Sequence, residues 1–145
     1  MKKREALVVI IDGQGGGVGR ALTEASRKAY PTLCIRAVGT NALATAAMLK
    51  AGATEGATGE NAVIFNVRQA DVLLGPIGIL AANGLLGEVT PRMAEAIGSS
   101  DAVKILIPSQ RCSIRLAVGA NQPMQVYLED AMRLLGEELQ RLGEL

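Results

Sequence analysis

The feature that most constrains this chain is a glycine-rich turn set directly behind a short aliphatic run. Residues Ala6 to Ile11 are continuously apolar, and Asp12-Gly13-Gln14-Gly15-Gly16-Gly17-Val18-Gly19-Arg20 follows at once. A run of that length and β-branched content, ended by Asp-Gly, predicts a strand buried on both faces. The segment from Val18 to Ala29 predicts a helix. Between them, Gly13, Gly15, Gly16, Gly17 and Gly19 offer main-chain amides with no side chain in the way. Amides at the start of a helix carry partial positive charge, so strand, bare turn and helix in this order make a place for a phosphate. The plainer alternative is that the glycines only let the helix pack closely on the strand.

The rest of the chain continues the alternation. Pro31 breaks the first helix, Leu33 to Val38 predicts a second strand, and Asn41 to Lys50 a second helix with Gly52 in a left-handed position after it. Ala53 to Ala57 predicts a short strand. Residues 60–69 are read as a helix capped by Thr58, although Val63, Ile64, Phe65 and Val67 equally suit a strand. Asp71 to Leu74 predicts a buried strand closed by Gly75-Pro76-Ile77-Gly78. Thr90 and Pro91 predict the N-cap and first residue of a helix through Ile97, ended by Gly98-Ser99-Ser100. Val103 to Ile107 is the next strand, and Ile114 to Val118 is read as a further one. After Pro123, Leu128, Met132, Leu135, Leu139 and Leu142 recur at spacings of four and three, the apolar stripe of a long helix. Strands alternating with helices predict a three-layer, Rossmann-like α/β domain over residues 1–145, with a mostly parallel sheet of five or six strands.

Composition removes several function classes. The chain has 145 residues and no histidine, which excludes Ser-His-Asp and Cys-His nucleophiles and histidine metal sites; no metal is expected. With aromatics at 2% and 15 basic against 14 acidic residues, neither base stacking nor a basic footprint for nucleic acid is expected. Cys34 and Cys112 are far apart and outside any C-x-x-C spacing, which suits a reducing, cytoplasmic setting. Cys112, beside Arg111, is a candidate reactive thiol, though no base lies near it in sequence and isolated cysteines are usually core. No apolar stretch is long enough for a membrane span.

Gly13, Gly17 and Gly19 match the G-x-x-x-G-x-G spacing of short-chain dehydrogenases, and Asp71 to Gly78 resembles their D-x-L-V-N-N-A-G strand with both asparagines replaced. Their Tyr-x-x-x-Lys is missing, since Tyr30 is followed four residues on by Cys34 and Tyr127 by Ala131, so the resemblance implies the nucleotide-binding half without the hydride chemistry. Gly16 to Ala21 resembles the G-G-V-G-K-T ending of deviant P-loop ATPases, but Arg20 and Ala21 stand where the phosphate lysine and the magnesium-holding hydroxyl belong. Taken with Gly39 to Thr45, Ala57 to Ala62 and Gly75 to Gly78, the turn is similar to that of a family of short bacterial proteins known only as a domain of unknown function. That resemblance spans nearly the whole chain and implies a Rossmann-like fold with no assigned activity.

The candidate ligand site comprises Gly13, Gln14, Gly15, Gly16, Gly17, Val18, Gly19, Gly39, Thr40, Asn41, Gly75, Pro76 and Ile77, all placed at or beyond the carboxyl ends of strands. No acid ends the second strand to hold ribose hydroxyls, so NADP or another nucleotide is favoured over NAD, with Thr40 and Asn41 toward a 2′-phosphate or Asn41 only capping its helix. Three readings follow: a binding or sensing protein for a phosphate-bearing small molecule; a small enzyme in which Asp12 and Glu60, helped by Asn61, act as acid-base groups; or an oligomeric scaffold with a degenerate site. Asp12 fits a brace of the turn as well as a ligand contact, and Glu60 is also a favourable first-turn acid. The apolar run Ile77 to Leu86 suits either a cover over the ligand or a subunit contact, and a homo-oligomer is expected.

Overall fold

In the computed structural model, which describes residues 5–109 and 113–144, strands and helices alternate along the chain. They are β1 (Leu7–Asp12), α1 (Gly17–Ala29), β2 (Cys34–Gly39), α2 (Ala42–Lys50), β3 (Glu55–Thr58), α3 (Glu60–Val67), β4 (Val72–Pro76), a 3-10 helix (Ile77–Leu80), α4 (Pro91–Ser99), β5 (Val103–Ile107) and α5 (Met124–Arg141). The five strands form one sheet in the order β3-β2-β1-β4-β5. Every pairing is parallel: Leu7 stands opposite Cys34 and Asp12 opposite Gly39, Val8 opposite Val72, Gly39 opposite Thr58 and Val72 opposite Val103.

Alternation of side chains along the central strand divides the core into two layers. Val8 and Ile10 pack with Leu22 of α1, Met48 of α2, and Leu135 and Leu139 of α5. Leu7, Val9 and Ile11 pack with Val63 and Val67 of α3 and Met93 and Ile97 of α4. This is why β1 reads as an unbroken apolar run: both of its faces are covered. The stripe on α5 is used as its spacing predicts, with Ala131, Leu135 and Leu139 buried against the sheet.

Arg27, near the end of α1, closes the first crossover. Its guanidinium donates to the carbonyls of Gly52, Tyr30, Pro31 and Leu33 and to the Thr54 hydroxyl. Five donors in a rigid fork suit this task, since they satisfy loop carbonyls that no helix or sheet can. Gly52 adopts the left-handed region at φ 121°, as predicted from its place after α2.

Three expectations change. Ile114 to Val118 forms no strand; residues 113–123 are irregular, and Leu116 and Val118 are exposed. Alternating apolar residues make a strand only where they join a sheet, and the five-stranded sheet does not include this segment. Thr58 does not cap α3. It ends β3, its hydroxyl 2.8 Å from that of Thr45, and Gly59 at φ 106° takes the cap position. Gly75 and Pro76 belong to β4 rather than to a loop after it, fully buried, with Gly75 so close to the Ile11 carbonyl that a Cβ would lie 2.4 Å from it. The helical reading of residues 60–69 holds over Glu60–Val67, because Val63, Asn66 and Val67 turn inward at helical spacing while Phe65 stays exposed.

Candidate functional site

The strand order reverses direction between β1 and β4, so the chain leaves their carboxyl ends toward opposite faces of the sheet. From β1 it enters α1 in one layer; from β4 it passes through the 3-10 helix to α4 in the other. The crevice opened by such a divergence is where open α/β sheets hold ligands. The glycine-rich turn forms one wall of it.

Asp12 organises that turn from within. It is 4% exposed, and its carboxylate accepts from the Gly13 amide at 2.7 Å and the Gly19 amide at 2.6 Å. Burial pushes its carboxyl above the ordinary value, the amides of Gly19 and Gly13 draw it back, and the nearby charge of Glu88 adds to the rise. Gly16, at φ 73°, is the N-cap of α1, with its amide on the Gly13 carbonyl at 2.9 Å and its carbonyl accepting from Arg20 at 2.8 Å. A side chain at Gly16 would meet the Ala44 backbone at 2.9 Å; one at Gly19 would strike Met48 and Asp12. These glycines are required by packing.

Gly15 and Gly17 are different. Both are exposed, and a Cβ on either would meet nothing within 4 Å. Among the described residues, the amides of Gly15, Gly17 and Val18 have no protein acceptor. Two of them, Gly17 and Val18, are the first two residues of α1, where the helix's own geometry leaves N–H groups unmatched.

The part of the site formed by Gln14, Thr40 and Asn41 is already engaged, by a residue that the sequence reading missed. One carboxylate oxygen of Glu88 accepts from the Gln14 amide at 2.9 Å, the Thr40 hydroxyl at 2.7 Å and the Asn41 side-chain amide at 2.7 Å. These bonds hold the Glu88 carboxyl below its ordinary value, the Thr40 bond foremost, then Gln14, with Asn41 adding less than burial takes back. Asn41 also caps α2, accepting from the Ala44 amide at 2.9 Å, and donates to the Gln14 carbonyl at 3.0 Å. Asn41 thus caps its helix and at the same time binds the Glu88 carboxylate.

Glu88 closes residues 81–89, the loop between the 3-10 helix and α4. Ile79 is buried, while Leu85 lies over Gly13 and Gly78. Of the large side chains in the run Ile77 to Leu86, Leu85 lies against the turn and only Leu86 stands clear of the protein, at 94% exposed. Glu88 is the single acid between Asp71 and Glu95 in the sequence. That isolation was the one available sign of a special role. Nothing in the spacing links it to residues 47 and 48 positions away.

The remaining candidates are scattered. Gly39 is buried, its amide donating to the Thr45 hydroxyl at 3.1 Å. Gly75 and Pro76 are the last two residues of β4 and buried, so of that trio only Ile77 is partly exposed. Glu60 begins α3 and pairs with Arg92 of α4 at 3.3 Å, sharing no hydrogen bond with Asp12 among the described residues. Asn61 is exposed beside it. Cys112 and Arg111 lie outside the described residues. Among the described residues no group of three or more cysteine, aspartate or glutamate side chains is placed to hold a metal, and no helix is long and apolar enough to cross a membrane.

Comparison with known proteins gives a family. The model described as a domain of unknown function, DUF3842, matches residues 7–140. No curated protein matches the chain. Among solved structures, the chain is similar to a dodecameric FMN-dependent Ubix-like decarboxylase from Escherichia coli O157:H7, at 20% identity over 95% of this chain and 76% of that one, with a TM-score of 0.45. It is also similar to a universal stress protein in complex with cAMP, at 21% identity over 72% of this chain and 98% of that one, with a TM-score of 0.38.

Proposed function

The chain belongs to the DUF3842 family, and from that premise we propose that it binds a phosphate-bearing small molecule, of nucleotide type, at the start of α1. One observation carries this: the Gly15, Gly17 and Val18 amides have no acceptor among the described residues, and the two exposed glycines leave open space in front of them. A helix start so exposed attracts an anion through its unmatched N–H groups and its dipole. The place of the turn, at the point where the strand order reverses, supports the same reading.

The nature of the nucleotide depends on Glu88. The lack of an acid at the end of β2 favours NADP over NAD, yet Glu88 brings a carboxylate to Thr40 and Asn41 from another element. A 2′-phosphate can use those donors only when that carboxylate is elsewhere. Binding without chemistry is favoured over the small enzyme, because the Asp12 carboxylate is engaged by two amides and Glu60 by Arg92. A homo-oligomer stays part of the proposal: Leu43 and Val118 are exposed at 67% and 76%, and a monomer mass at sedimentation equilibrium would remove it. A reducing, cytoplasmic setting is also retained.

Thermal unfolding with NADP, NAD, ATP, ADP, GTP and flavins tests the binding. A ligand at a hundred times its dissociation constant adds about 2.7 kcal/mol to stability. The upward shift is expected in the wild type and lost in Gly17→Val, whose side chain enters open space and leaves the fold intact. No shift with any of them would reject the phosphate site and favour a scaffold.

A further inference from the structure

We infer that residues 81–89 form a lid latched onto the glycine-rich turn by Glu88, whose carboxylate stands in for an anionic group of the ligand and is displaced by it. This rests on the phosphate-binding reading for its ligand, while the latch itself is a statement about the protein alone.

Three observations carry it. First, Glu88 gathers donors from two separate elements, the Gln14 amide of the turn and the Thr40 and Asn41 side chains after β2, all onto one oxygen. Those are groups that would otherwise face an incoming anion, and charge-assisted bonds to a carboxylate are among the stronger ones a loop can make. Second, the loop is held in a conformation it would not choose. Leu85 and Leu86 have positive φ, at 54° and 55°, between Asn83 and Gly87, residue types that take this region readily. Leucine rarely adopts the left-handed region, and such residues persist only where the surroundings fix them. Third, beside the loop's own main-chain bonds, such as Asn83 N–H to the Val89 carbonyl at 2.7 Å, two of its side chains reach across to the turn: Leu85 over Gly13 and Gly78, Glu88 over Gln14.

The closed lid thus covers the Gly13–Gln14 side of the site and leaves the Gly15, Gly17 and Val18 amides bare. A ligand with one phosphate reaches the bare amides directly. One with a second anionic group gains Gln14, Thr40 and Asn41 only by displacing Glu88, and backbone strain in the lid favours its leaving.

Hydrogen exchange and pyrophosphate titration of the wild type, Glu88→Ala and Glu88→Gln test this. Exchange at residues 83–89 and at the Gln14 amide is expected to rise about tenfold or more in Glu88→Ala, with β1 and β4 unchanged; Glu88→Gln, which keeps an acceptor oxygen without the charge, falls between. Pyrophosphate is expected to bind Glu88→Ala about tenfold more tightly than the wild type. Unchanged loop exchange in both variants overturns the latch, and pyrophosphate bound no more tightly by Glu88→Ala overturns the displacement. Pyrophosphate bound by no variant overturns the phosphate site and the displacement with it, while the exchange rates decide the latch without any ligand.

Discussion

Asp12 and Glu88 are neighbouring carboxylates whose environments push them in opposite directions, and stability should record both. For Asp12 the folded value lies above the unfolded one, so the folded state binds more protons between the two; stability therefore falls as pH rises from about 3.8 through the folded value. For Glu88 the folded value is the lower, so its contribution is complete above about 4.5 and is lost as pH falls through the folded value. Urea unfolding between pH 3 and 6 should show Asp12→Asn removing the first dependence and Glu88→Gln the second; parallel curves for all three proteins would contradict the assignment. The glycines separate just as sharply. Gly16→Ala should cost roughly 1–2 kcal/mol for the left-handed conformation alone, and more for its contact with Ala44, whereas Gly17→Ala should stay within about 0.5 kcal/mol. Equal midpoints in urea would show that the turn is not built as described. That the turn is special was legible from the sequence; which glycines pack and which stay open was not, since this depends on Met48, Ala44 and Asp12 meeting them in space.

At the scale of elements, Arg27 joins the end of α1 to the loops before β2 and β3. Arg27→Ala should lower unfolding free energy by about 2 kcal/mol through stranded carbonyls, with Arg27→Lys recovering little, because an ammonium cannot span the same set. Leu135→Ala, which opens a cavity between α5 and the sheet, should cost about 3 kcal/mol. Either change proving neutral in urea would remove that residue from the account. Periodicity revealed these elements well where burial is one-sided or complete: the stripe of α5 and the aliphatic runs of β1, β4 and β5 were all recognisable. It misled at Ile114 to Val118, where the pattern of a strand exists but the segment does not join the sheet. It also gave no hint of the Thr45–Thr58 contact that draws Thr58 into β3 and hands the cap to Gly59.

For the whole molecule, the alternation of elements led to the parallel, doubly covered sheet, and the crevice at β1 and β4 follows from that strand order. What the sequence did not carry was the closing of the crevice by the chain itself, because Glu88 and its three partners are brought together only by the complete fold. The bare amides at the start of α1 are where the proposed function places an anion. Amide proton and nitrogen shifts followed during titration with pyrophosphate read those groups one by one. The account predicts saturable shifts at Gly15, Gly17 and Val18, largest among all amides and abolished in Gly17→Val; shifts that are absent, or that fall on other residues while these three stay still, would contradict it.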